Sequence, residues 1–160
     1  MILLESNAAM TPQGVIIIVV LVVVIILALI YDKKKKASFV SDFQKKYQDR
    51  IVEQVHDAFV TSDGEFVLKY DASTVGGYKI FKLRDISYVF CGRDITAKSW
   101  CISLLDSEEK TMKGEYVCSS KKTPLVEKNA VTFTAKQKVA EDYCELIMRH
   151  APHVKKYKRK

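Results

Sequence analysis

Sixteen consecutive apolar residues, Val15 to Ile30, stand near the amino terminus, and fifteen of them are Val, Ile or Leu. Each of these side chains contributes about −0.3 to −0.6 kcal/mol at the centre of a membrane helix, so insertion of the run gains roughly 5 to 9 kcal/mol. A helix that is apolar on every side needs either a large core or lipid around it, and a chain of 160 residues has no core of that size. We therefore predict one transmembrane helix over residues 14–31.

Lys and Arg residues are distributed unevenly on the two sides of this run. Residues 1–14 contain none, whereas Lys33, Lys34, Lys35 and Lys36 follow the run almost directly. Because cytoplasmic flanks carry the excess of positive charge, the short tail of residues 1–13 is predicted to lie outside and the rest of the chain in the cytoplasm. The end of the run offers no small-residue cleavage site, so we expect a single-pass signal anchor in the cell membrane and not a cleaved signal peptide.

The formal net charge of +7 lies in two short flanks. Between Ala37 and Val154 the 17 Lys and Arg equal the 17 Asp and Glu in number. A neutral body without a basic stripe is not typical of a nucleic-acid-binding protein, so no nucleic acid is expected as a partner. The two basic flanks are instead predicted to contact anionic lipid headgroups, through Lys33, Lys34, Lys35, Lys36, Lys155, Lys156, Lys158, Arg159 and Lys160.

The basic tail over residues 155–160 has two interpretations. One is a solvated, disordered chain end. The other is a segment that folds back onto the leaflet near which the membrane helix already holds it. Both place the tail outside the folded domain, so truncation after Val154 is expected to leave the melting temperature unchanged.

An apolar residue recurs at every fourth position after the lysines, at Phe39, Phe43, Tyr47, Ile51, Val55 and Phe59. This spacing predicts an amphipathic linker helix of about twenty residues within the segment 32–60. The apolar stripe of this Phe39 to Phe59 helix is predicted to pack on the chain's own domain. The alternative is that it pairs with a second copy and forms a homodimer.

From Glu65 the pattern changes to short runs of alternating polarity that are separated by turn residues. Such runs predict strands, over residues 65–70, 78–83, 86–91, 99–105, 112–118 and 130–134. A helical pattern returns from Ala135 to Ala151, and Pro152 ends it. Because no helix stands between the strands, we predict an α+β domain over residues 61–154, with an antiparallel β meander followed by a C-terminal helix.

The order of these elements and one phrase of sequence resemble a known superfold. The phrase is Phe81-Lys82-Leu83-Arg84-Asp85-Ile86-Ser87-Tyr88-Val89. It is similar to a strand pair in the small bacterial PH-like domains of the pleckstrin-homology superfold, which often accompany transmembrane segments. The resemblance covers residues 64–153 and implies a PH-like barrel closed by the C-terminal helix. It implies no ligand residues, and the chain differs from the family in opening with a long helix.

Common catalytic and metal-binding motifs are absent from the sequence. There is no G-x-S-x-G, no phosphate-binding glycine loop and no C-x-x-C pair among the cysteines, and His150 and His153 have no third ligand near them. No cofactor and no metal are predicted. The predicted function is therefore a membrane-anchored binding or scaffold module without catalytic activity, which docks a protein partner at the inner leaflet. The alternative is an accessory subunit, or an enzyme whose site carries no recognisable motif.

Overall fold

The computed structural model describes residues 12–69, 76–94, 99–119 and 133–158. Within these ranges the chain is α+β, with a long apolar helix at the amino-terminal end followed by sheets that are antiparallel apart from one parallel strand pair. The chain divides into two compact units, Met1–Lys35 and Lys36–Lys160. The first helix, α1, runs from Pro12 to Gln48 and contributes residues to both units.

In the first unit, α1 carries the apolar run from Val15 to Ile30. Every side chain of this run is exposed, and the large ones range from 44% at Ile18 to 62% at Ile16. A helix satisfies each backbone polar group within its own segment, as the interior of a bilayer requires. The segment is long and apolar enough to cross a membrane, and it is therefore a candidate membrane span.

In the second unit, α1 buries one face before it ends at Gln48. Phe43 and Tyr47 are both buried there. Phe43 stacks on Tyr78 of the neighbouring sheet, with ring centroids 3.9 Å apart. The backbone N–H of Arg50 donates to the carbonyl of Tyr47 in the turn that ends the helix. The chain's own sheet thus covers the apolar stripe.

The prediction of a helix from Phe39 to Phe59 is wrong after Gln48. Ile51–Val55 and Ala58–Thr61 are strands β1 and β2, joined by a turn in which His56 has a φ of 51°. Residues four apart lie on one face of a helix, and they also lie on one face of a strand, where every second side chain points the same way. The spacing therefore fits both structures. The apolar positions of the predicted helix pack internally or belong to strands. The homodimer stays a prediction.

The remaining strands are β3 Glu65–Lys69, β4 Gly77–Lys82, β5 Tyr88–Asp94, β6 Ser99–Leu105, β7 Glu115–Cys118, β8 Phe133–Ala135 and β9 Lys155–Lys156. They form two sheets with β1 and β2, in the orders β1-β2-β3-β4-β7 and β8-β6-β5-β9. The described strands therefore do not close into the barrel that the PH-like resemblance implied. A second helix, α2, spans Gln137–His150, within the segment predicted to be helical.

Both faces of the five-stranded sheet are buried. Successive side chains of a strand point in opposite directions, so neighbouring residues contribute to two different apolar clusters. One face packs on α1 through Phe59, Val67, Tyr78 and Ile80. The other face joins the main core, which the second sheet and α2 complete, through Ala58, Val60, Phe66, Leu68 and Phe81. Tyr143 of α2 is buried in that core, and Trp100 of β6 is partly buried against it.

Strand β9 contradicts the expectation that residues after Val154 lie outside the folded domain. It pairs with β5 in parallel. The backbone N–H of Lys155 donates to the carbonyl of Ser87 at 3.0 Å, and that of Tyr157 donates to the carbonyl of Val89 at 2.9 Å. Parallel strands need a long crossover connection, and the chain between β5 and β9, which includes α2, supplies it.

Candidate functional site

An open cavity of about 380 Å³ lies where the β2–β3 turn, the end of β4 and the end of α2 meet. The turn is tight because Gly64 has a φ of 75°, a conformation that favours glycine. The carbonyl of Gly64 accepts a hydrogen bond of 2.8 Å from the N–H of Leu83, which holds the end of β4 against the turn. Ionisable side chains in the lining are Asp63, Glu65, Lys82, Arg84, His150 and His153.

Arg50 compensates the acidic side chains of this cavity. Its guanidinium forms an ion pair with Asp63, and its Nη2 lies 3.3 Å from Oε2 of Glu65. The same guanidinium lies 5.0 Å from the centroid of the Tyr47 ring, at the end of α1. The two carboxylates are therefore engaged by the protein itself and are poorly placed to bind a cation.

The end of α2 is fastened to β1 by Glu53. Its Oε2 lies 2.7 Å from Nε2 of His150, and its other oxygen forms an ion pair with Arg149. The hydrogen bond from His150 is the main reason that the pKa of Glu53 is lowered, and Arg149 adds to the effect. One wall of the cavity is thus held by a contact between residues almost a hundred positions apart.

A second contact fastens the start of α2 to the β1–β2 turn. Oδ2 of Asp142 lies 2.8 Å from Nε2 of His56, and Oδ1 lies 2.9 Å from Nζ of Lys138. Hydrogen bonds from Lys138 and then His56 lower the pKa of Asp142. His56 occupies the left-handed region at the turn, where His is more common than most other residues.

Basic residues from two distant parts of the sequence meet at the cavity, and further basic residues follow on and after β9. We name the C-terminal basic strip as Lys82, Arg84, His153, Lys155, Lys156 and Lys158. All six side chains are exposed. His153 lines the cavity together with Lys82 and Arg84, and β9 continues from it along β5.

The structure places the lysines predicted to contact lipid on different elements. Lys33, Lys34 and Lys35 are exposed on α1 in the first unit, whereas Lys36 is half-buried in the second unit. Lys155, Lys156 and Lys158 belong to the C-terminal basic strip. Arg159 and Lys160 lie outside the described residues.

Lys82, Arg84 and His153 were not predicted as site residues. Lys82 and Arg84 flank the buried Leu83 in a short 3-10 turn that follows β4, so both point to solvent. That local pattern was visible in the sequence. Their position beside His153 was not, because it depends on the packing of α2 against the first sheet.

One further surface is the outer edge of the five-stranded sheet. Strand β1 is the last strand on that side in the described sheet. Val52 of β1 is 57% exposed, and it is the one large hydrophobic residue outside α1 with such exposure among the described residues. An edge strand of this kind presents backbone groups and an apolar side chain to an extended segment of another protein.

The thiols are poor candidates for nucleophilic chemistry. Cys91 and Cys144 share a hydrogen bond, and burial raises the pKa of both thiols, which disfavours the reactive thiolate. The described residues contain no group of three or more His, Cys, Asp or Glu side chains that could hold a metal ion.

No protein-family model, curated protein or solved structure matches this chain. The resemblance to PH-like domains therefore stays a prediction. Function must follow from the residues and contacts described above.

Proposed function

We propose that this protein is a single-pass, membrane-anchored binding module without catalytic activity, with residues 1–13 outside and the second unit in the cytoplasm. One observation carries the proposal. The side chains from Val15 to Ile30 are exposed on every side of α1, so no part of the described chain shields them from water. Insertion into a lipid bilayer would remove this apolar surface from water and gain roughly 5 to 9 kcal/mol of free energy.

Charge supports the orientation. Lys33 to Lys36 follow the span on its carboxyl side, and residues 1–14 contain neither Lys nor Arg. Lysines beside a cytoplasmic leaflet each contribute about 1 kcal/mol of attraction to anionic lipid. The exposed side chains of Lys33, Lys34 and Lys35 are free to reach headgroups at that level.

A protein partner is proposed to dock at the β1 edge by adding a strand to the five-stranded sheet. The backbone of β1 would supply hydrogen bonds, and Val52 would supply an apolar contact. An exposed apolar residue on an edge strand normally favours unwanted pairing, and proteins often place a charge or proline there instead. An exposed valine at position 52 fits an edge strand to which a protein partner adds a strand.

Topology is tested with the full chain in intact cells. We expect the protein to stay in the membrane fraction after alkaline carbonate washing, and added protease to spare a C-terminal epitope. Permeabilised cells are the control in which the epitope must be lost. Release by carbonate, or digestion of the second unit in intact cells, would contradict the proposal.

Partner docking is tested by site-specific photo-cross-linking in the same membranes. A cross-linker at Val52 is expected to give a discrete product that a charged substitution at its neighbour Gln54 weakens. A cross-linker at Glu145, which is exposed on α2, is the matched control. Equal products from both positions would show random collision and would rule out the β1 edge.

A further inference from the structure

We propose that the C-terminal basic strip binds the phosphate groups of anionic lipid headgroups in the bilayer that α1 enters. This inference rests on the proposed membrane anchor. It goes beyond it by assigning a lipid-binding site to the folded unit itself, built partly from residues 82 and 84, which are more than 65 positions from the basic carboxyl end.

Strand pairing orders the backbone of Lys155 and Lys156, whose exposed side chains leave the edge strand in opposite directions. Lys155 lies opposite Tyr88 and Lys156 lies opposite Val89 in the parallel pair. The ring of Tyr157 packs on the ring of Tyr88 with centroids 6.0 Å apart, which extends the ordered segment past β9. Lipid would therefore meet positioned side chains, and less conformational freedom would be lost on binding than for a loose tail.

The cavity joins the two halves of the strip. Lys82 and Arg84 come from the end of β4 and the turn after it, and His153 comes from the chain just before β9. Parallel pairing then holds Lys155 and Lys156 along β5, and the bond from the N–H of Tyr157 to Val89 holds the chain next to Lys158. A phosphate has room between the two halves, because the cavity between them is open to solvent and measures about 380 Å³.

Few carboxylates compete for these cations. Asp85 lies 3.5 Å from Nε of Arg84, and Glu109 accepts a hydrogen bond from the hydroxyl of Tyr157. Glu65 lies opposite Lys82 in the β3–β4 pair, but Arg50 engages both Glu65 and Asp63. Among the described residues, none of the four lysines of the strip forms an ion pair, so the strip carries a clear positive excess.

The size of the effect follows from the number of lysines. Each Lys held near an anionic leaflet favours contact by about fivefold. Screening restricts this attraction to about 10 Å at 0.1 M salt and extends it to about 30 Å at 0.01 M. Binding should therefore depend on anionic lipid and weaken as salt rises.

The test uses the full chain in nanodiscs of phosphatidylcholine, with and without phosphatidylglycerol. Amine acetylation is followed residue by residue with mass spectrometry. We expect Lys155, Lys156 and Lys158 to react several-fold more slowly in the anionic discs at about 0.01 M salt, and the difference to shrink at about 0.1 M. Lys110 and Lys138, exposed elsewhere on the unit, are internal controls whose rates should not depend on the lipid.

A triple substitution separates the strip from general attraction. The readout for the variants is hydrogen exchange of backbone amides. Lys155→Gln, Lys156→Gln and Lys158→Gln together should abolish the lipid-dependent protection of the amides in residues 150–158 against this exchange. The matched triple variant Lys45→Gln, Lys110→Gln and Lys138→Gln should retain it. Equal acetylation in both lipids, or equal loss in both variants, would overturn the inference.

Three further outcomes distinguish lipid binding from free phosphate binding and from a failed membrane anchor. Inorganic phosphate at matched ionic strength should not reproduce the protection, and if it does, the site binds free phosphate and the assignment to lipid is wrong. Failure of the chain to enter nanodiscs would overturn the proposed function and this inference together. Entry without any lipid-dependent protection would overturn the inference alone.

Discussion

The two halves of α1 differ in how their apolar residues are arranged around the helix. From Val15 to Ile30 every position is apolar and every side chain is exposed. From Phe39 to Tyr47 the apolar residues occupy one face, and that face is buried against the first sheet. A protein neighbour covers the one-sided stripe, whereas the all-round apolar surface supports the proposal that lipid surrounds the first half.

Charges inside the span should have the largest effect. Two Arg residues at the centre of a membrane helix cost about 5 to 7 kcal/mol, which is comparable to the whole gain from insertion. We expect Val22→Arg with Val23→Arg to prevent stable insertion, measured as release from membranes by alkaline carbonate. Val22→Leu with Val23→Leu is the control. Full retention of the double Arg variant would mean that this half does not depend on lipid.

Truncation of the buried face should affect the other half alone. Phe43 is 7% exposed and stacks on Tyr78, so Phe43→Ala is expected to cost about 3 to 5 kcal/mol of the unfolding free energy. Chemical denaturation of the full chain in detergent measures this cost. Lys45→Ala, on the exposed face of the same helix, should change it by less than about 0.5 kcal/mol. Membrane insertion should be unchanged in both variants.

Local patterns predicted much of the fold, because alternation and helical periodicity are properties of neighbouring residues. Strands β3 to β6 lie in or beside segments where alternation predicted strands. The β1–β2 hairpin was missed because apolar residues four apart fit both periods. Strand β9 was missed for a different reason. Two lysines carry no strand signal, and their pairing with β5 depends on the path of the whole intervening chain.

The candidate site was predictable in part for the same reason. Consecutive lysines at the carboxyl end were visible in the sequence and led to the prediction of lipid contact, which stays a prediction. Arg84 and His153 could not be recognised as neighbours, since the end of α2 reaches the first sheet only through long-range packing and the contact of His150 with Glu53. Nothing in the order of residues around Glu53 indicates a partner in α2.

Removal of β9 should have an intermediate effect, in contrast to the expectation that the carboxyl end is dispensable. Truncation after Val154 removes two backbone hydrogen bonds, worth about 0.5 to 1.5 kcal/mol each. It also removes the contact between Tyr157 and Tyr88, which adds about 0.5 to 1.5 kcal/mol. We expect a loss of about 1.5 to 4.5 kcal/mol of unfolding free energy after summing these effects.

Thermal or chemical unfolding of the truncated full-anchor chain measures this loss. Tyr157→Phe is the control, because it keeps the ring contact and removes only the exposed hydroxyl bond to Glu109. An unchanged melting temperature would show that β9 does not contribute to the fold. It would also remove the preorganised strand on which the lipid site depends.

The smallest expected effect is the pH dependence of folding stability. It should be seen in the second unit and not in the membrane retention of the apolar run. Contacts with α2 and the β1–β2 hairpin lower the pKa values of Glu53 and Asp142 below their ordinary values of 4.5 and 3.8. A carboxylate with a lowered pKa in the folded state contributes stability that is fully present above its unfolded pKa. That contribution is lost as pH falls through the lowered, folded pKa. The second unit should therefore lose stability between about pH 5 and pH 3, and Glu53→Gln should flatten this dependence. Unfolding curves collected across this range measure the slope, and Glu145→Gln, on the exposed face of α2, should leave it unchanged.

Membrane retention should not vary over the same range, because the run from Val15 to Ile30 contains no titratable side chain. A parallel loss of retention and of folding stability would mean that the span is held by the folded unit and not by lipid.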